Sequence, residues 1–111
     1  MEIREQKYGA VTSLRPLGPV ITDDAAALRN RLLDTHRQSL GRLVLDMGGV
    51  PYLDSAGLEA LLDVTEALGR SGQALKLCGA NDVIRESLEL TEIADLFDYF
   101  GDVNDAVRSF V

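Results

Sequence analysis

In the run Val50-Pro51-Tyr52-Leu53-Asp54-Ser55-Ala56-Gly57-Leu58, a carboxylate and a hydroxyl stand side by side just ahead of an apolar periodic segment. Asp is a favoured N-cap, so Asp54 places Ser55 at the first helical position. Free N–H groups and the positive end of the helix dipole gather there. A hydroxyl at that point faces outward, and a phosphate esterified to it sits in a favourable local field. The same pair also reads as an ordinary helix cap, since Asp and Ser dominate helix starts. Gly57 costs the helix about 1 kcal/mol relative to Ala. Close approach by another backbone is one reason to accept that cost, and clearance for a docked partner is its functional form.

Other chemistries find less support. The single histidine, His36, falls on the inward side of a helical pattern and reads as a packed or half-buried residue. There is no Gly-x-Ser-x-Gly elbow, no Gly-x-x-x-x-Gly-Lys loop and no Cys/His set with metal spacing. Asp46 and Asp54 look like a carboxylate pair, but Asp46 ends an apolar strand and Asp54 caps a helix. The expectation is a non-catalytic protein without a metal or cofactor of its own. Cys78 is the only cysteine, which excludes an intramolecular disulfide, and it reads as a small buried hydrophobe. Tyr52, beside the serine in a loop, reads equally as a partner contact or a core plug. Glu59, Asp63 and Glu66 read as a solvated helix face that extends an interface if the partner is basic.

Composition narrows the partners. The chain has 111 residues, 46% of them apolar, enough for one domain with a core and no staples. Eleven basic and 18 acidic residues leave a net charge of −7, unsuited to direct nucleic-acid contact or to adhesion on anionic membranes. No apolar run approaches the roughly 18 residues of a membrane span, and Met1–Glu5 lacks the apolar centre of a signal peptide. The cytoplasm is the default location.

The elements that must position Ser55 follow from periodicity. Ile3–Tyr8 and Ala10–Arg15 read as an antiparallel pair around Gly9, after which Pro16, Gly18 and Pro19 break regular structure. Thr22–Ser39 reads as a helix capped by Thr22 or Asp23, with Ala25, Leu28, Leu32 and His36 on one face, stopped by Gly41. Leu43–Met47 is a strand buried on both faces, Ser55–Leu68 the next helix with Leu58, Leu61, Leu62, Thr65 and Leu68 inward, and Ala74–Cys78 another strand. Together they make one right-handed βαβ unit. Asn81 or Asp82 caps a helix through about Leu88, Phe97–Phe100 forms an edge strand, with Phe97, Tyr99 and Phe100 as late core or edge packing, and Asp102 caps a last helix showing Val103, Ala106, Val107 and Phe110. The expected fold is α/β, a mixed sheet of about four to five strands with about four helices in a single domain spanning residues 1–111.

Three segments together resemble the STAS family, the sulphate transporter and anti-sigma-factor antagonist domains, and in particular its single-domain bacterial members. They are Leu43–Asp46 with Val50–Leu58, then Gly72–Gly79, then Leu88–Phe97 with Ala106 beyond it. The resemblance covers nearly the whole chain. It implies the STAS fold and a phosphorylation switch with Ser55 as the phosphoacceptor. In such antagonists the unmodified protein binds an anti-sigma factor that is also a serine kinase. That kinase binds the ATP and ends the complex by modifying the serine, and a phosphatase resets it. The implied partner surface comprises Tyr52, Asp54, Ser55, Ala56, Gly57 and Glu59, with Thr22 and Asp23 from the first helix, on a monomer or weak dimer. The family usually carries an Asp where this chain has Ile21, and Pro16 and Pro19 are atypical. The resemblance also admits a non-phosphorylated docking subunit of a lipid-trafficking ABC transporter or of a sensory complex.

Overall fold

The computed structural model describes residues 1–110. Its strands are β1 (Glu2–Tyr8), β2 (Val11–Leu17), β3 (Leu43–Asp46), β4 (Leu75–Cys78) and β5 (Phe97–Phe100). Its helices are α1 (Thr22–Gln38), α2 (Ser55–Gly69), α3 (Asp82–Leu90) and α4 (Val103–Arg108), with an unanticipated 3-10 turn at Ala94–Leu96. The five strands form one sheet in chain order, β1 antiparallel to β2 and all later neighbours parallel. This is the expected mixed sheet with four helices.

Because each parallel crossover steps to the next strand in the same direction, right-handed connections place α1, α2 and α3 on one face. There Leu28 and Leu32 of α1, Leu61, Val64 and Leu68 of α2, and Ile84 and Leu88 of α3 bury against Leu14, Leu45 and Leu77. Among the described residues the opposite face is covered by α4, which packs Ala106 on Val11, Val44 and Cys78. Leu43, Val44 and Leu45 are at most 2% exposed, as a strand covered on both sides requires.

Several boundaries shift for identifiable reasons. β2 does not stop at Arg15 but runs through Pro16 to Leu17. The Thr12 N–H donates to the Arg42 carbonyl (2.9 Å), which turns the even-numbered N–H groups of β2 toward β3. Pairing with β3 ends at Leu14, so Pro16 lacks its N–H where the ladder has no further use for one. The cap of α1 is Ile21, not Thr22 or Asp23, and it supplies no side-chain bond. Thr35 rather than His36 completes the buried face of α1. His36 is half-buried and its Nε2 lies 2.9 Å from Gln73 Oε1. In α2, Gly57, Ala60 and Val64 are buried, while Leu58 and Leu62 are only half-buried. Asn81 and Asp102 cap α3 and α4 through bonds from the Ile84 and Asp105 N–H groups.

Candidate functional site

The β3–α2 loop delivers Ser55. β3 ends at Asp46, whose Oδ1 accepts from the Gly48 N–H at 2.9 Å, so this carboxylate shapes the loop's first turn. The loop is then clamped on two sides. On one side Val20 pairs with Leu53 in a short parallel bridge: the Val20 N–H donates to the Tyr52 carbonyl (3.2 Å) and the Asp54 N–H to the Val20 carbonyl (3.3 Å). On the other side Asn81 Nδ2 donates to the carbonyls of Pro51 (3.1 Å) and Val50 (3.4 Å) while its Oδ1 caps α3. The serine thus rests on a segment held by two neighbours, not on a free loop.

Asp54 joins two helix starts. Its Oδ1 accepts from the Gly57 N–H (2.9 Å), the cap of α2, and its Oδ2 accepts from the Thr22 N–H (3.1 Å) at the start of α1. Thr22 has φ of +47°, a left-handed conformation that a β-branched residue rarely adopts. Such backbone costs about 1–3 kcal/mol and persists where the surroundings hold it, here the Asp54 carboxylate. Gly57 is buried, and a Cβ there would overlap the Val20 carbonyl oxygen. The close approach expected at Gly57 is therefore internal, between α2 and the chain's own β2–α1 connection, and the clearance does not serve a partner.

Ser55 is exposed at the first position of α2. Ala56 and Glu59 line a groove of about 170 Å³ between α2 and α1, together with Thr22, Ala25, Arg29 and Asp63. Arg29 Nη1 lies 3.5 Å from Asp63 Oδ2 there. Tyr52 is 48% exposed, which removes the core-plug reading and leaves its ring available on the surface. Asp23 is exposed on the first turn of α1, and its side chain makes no hydrogen bond or ion pair among the described residues. Thr22, Asp54, Ser55, Ala56 and Glu59 thus converge, Gly57 faces inward, and Tyr52 flanks the loop. The missed participants are Val20, which acts through its backbone, and Asn81, whose capping role was legible but whose grip on the loop was not. Ile21 is half-buried, so the neighbouring Thr22 and Asp23 provide the polar surface beside it.

The rest of the chemistry-bearing residues stand apart. Cys78 is buried, and that burial, with the Asp46 carboxylate beside it, pushes its thiol up to about 12. It is a packed hydrophobe, not a nucleophile. Burial likewise raises Tyr99, whose hydroxyl donates to the Ala94 carbonyl at 2.6 Å. No described helix is long and apolar enough to cross a membrane.

An α/β domain that presents an Asp-capped, exposed serine on a doubly clamped loop is the class that fold and site define. The STAS domain family matches residues 2–106, and the chain belongs to that family. No curated protein sequence matches it. Among solved structures, a candidate anti-sigma factor antagonist from Thermotoga maritima superposes with a TM-score of 0.85 at 17% identity, covering 96% of this chain and 92% of that one. The anti-sigma factor antagonist SpoIIAA in its unphosphorylated form gives 0.72 at 10% identity, covering 98% and 96%. The murine anion transporter Slc26a9 gives 0.75 at 19% identity, covering 94% of this chain but 18% of the transporter. At these identities the likeness shows the fold.

Proposed function

We propose that this domain is an anti-sigma-factor antagonist, a non-catalytic binding protein whose partner surface centres on Ser55 and is switched by phosphorylation there. The observation that carries the reading is the exposed Ser55 hydroxyl at the first position of α2, on a loop already fixed by Val20 and Asn81. A partner meets a preorganised surface, and a kinase meets an accessible hydroxyl. The partner is an anti-sigma factor that is also a serine kinase and supplies the ATP site, with a phosphatase completing the cycle.

The switch works by charge. Phosphorylation adds about −1.5 to −2 charges at pH 7. It places them next to Asp54, whose carboxylate is committed to two backbone N–H groups, and one turn from exposed Glu59. A partner group packed on Ser55 then faces overlap and an unpaired charge, a loss of about 2–5 kcal/mol, or roughly 30- to 4,000-fold in affinity. The helix start itself accommodates the phosphate, because its dipole favours negative charge. The interface is lost while the fold is kept.

The test is affinity capture from the native host with phosphosite mapping on the recovered chain. A serine kinase recovered with unmodified bait, together with phosphate mapped to Ser55, supports the reading. Recovery of a transporter ATPase with Ser55 unmodified assigns the domain to transporter docking instead.

A further inference from the structure

The face of the sheet opposite α1 and α2 is only partly covered. α4 spans six residues and packs over the β3–β4 side. Beyond Tyr8 and Val11 the β1–β2 side is uncovered, and between it and α4 runs a groove of about 550 Å³. Arg4, Tyr8, Arg15 and Val103 line it, together with the acidic residues Glu5 and Asp46. That volume lies within the range of about 300–1,000 Å³ typical of small-molecule sites.

The groove contains an electrostatic anomaly. The β1–β2 register sets Arg4 directly opposite Arg15. Like charges in directly opposed cross-strand positions destabilise a sheet. Each arginine has one carboxylate partner among the described residues. Glu2 Oε2 lies 3.2 Å from Arg4 Nε, with both side chains largely exposed, and Asp46 Oδ2 lies 3.5 Å from Arg15 Nη1, at the limit of a hydrogen bond. Each guanidinium has five N–H donors and spends one in these contacts. In the groove, Ser13 is 4% exposed, yet its hydroxyl makes only a 3.4 Å contact with the Gln6 carbonyl.

We propose that this groove binds a small organic anion. A carboxylate, phosphate or sulfonate group sits between the Arg4 and Arg15 forks, whose planar donors suit an oxyanion. The apolar body of the ligand lies against Leu17, the Tyr8 ring and Val103. Binding relieves the opposed charges, which gives the arginine pair a purpose that folding alone does not. The net charge of −7 opposes long-range attraction of anions, so the affinity is modest, and salt weakens the local attraction to the exposed arginines. The site lies across the sheet from α2 and is independent of the reading of Ser55.

The experiment is a two-dimensional amide NMR titration of the whole chain with benzoate and, separately, with inorganic phosphate. The expected result is saturable shifts confined to β1, β2 and the start of α4, with a benzoate Kd of about 1 mM or tighter and weaker binding of phosphate, which lacks the apolar body. Arg4→Gln and Arg15→Gln each weaken benzoate by about tenfold, the value of a charged hydrogen bond. Arg4→Gln also keeps the melting temperature at or above that of the parent, whereas an arginine with a purely structural role lowers it. Absent or non-saturable shifts, or shifts unchanged in the doubly substituted chain, overturn the proposal. Equal affinity for the two anions overturns the apolar contact.

Discussion

Two helices begin side by side in this domain and are built differently. α2 opens with its own cap, Asp54, bonded three residues ahead to the Gly57 N–H. α1 opens at Ile21 with no side-chain cap and with Thr22 in a left-handed conformation. The second carboxylate oxygen of Asp54 makes good the deficit, reaching the Thr22 N–H across 32 positions in sequence. One helix start is locally sufficient and the other is borrowed. The serine follows the residue that serves both.

Substitutions separate the two cases, and the largest effects belong at Gly57 and Asp54, where the two starts meet. Gly57→Ala drives a Cβ into the Val20 carbonyl. The helix propensity gain of about 1 kcal/mol is outweighed by a strain of about 1–3 kcal/mol or more, and denaturant unfolding is expected to show a net loss. Asp54→Ala removes a cap worth about 0.5–2 kcal/mol and a second bond worth about 1 kcal/mol. A loss of about 1.5–3 kcal/mol is therefore expected, with amide exchange accelerated at the starts of both helices. If only α2 loosens, the shared-carboxylate account fails. Thr22→Gly is expected to raise stability by up to about 1 kcal/mol, because glycine adopts positive φ freely.

The chemistry on the other face gives a pH-dependent signature. The Cys78 thiol titrates near 12 in the fold against 9.0 for an ordinary thiol. The folded state thus holds this proton more tightly than the unfolded state. Its contribution to stability is complete below pH 9 and is lost as pH rises toward 12. Cys78→Ala should flatten the decline of stability with pH in that window, and alkylation of Cys78 at pH 8 should track unfolding.

How much of this was legible follows the same division. The cap at Asp54, the exposed start at Ser55, the buried run Leu43–Leu45 and the edge strand Phe97–Phe100 are local patterns, and each lies where periodicity and capping rules place it. The cap of α1 was not legible, because its acceptor comes from another segment. The passage of β2 through Pro16 was hidden for a similar reason: it depends on where β3 ends. Gly57 announced a close approach but not its partner, since a glycine records that something is near and not what it is. Asn81 looked like a cap and is one, while its hold on the Val50–Pro51 backbone required the fold.

The central claim, that Ser55 switches an interface without altering the fold, meets its most direct test in one binding measurement. The captured partner kinase is titrated with the unmodified chain and with Ser55→Asp, and the melting temperature of each chain is recorded alongside. The account predicts an affinity loss of at least about 30-fold for Ser55→Asp at an unchanged melting temperature. Equal affinity of the two chains contradicts it.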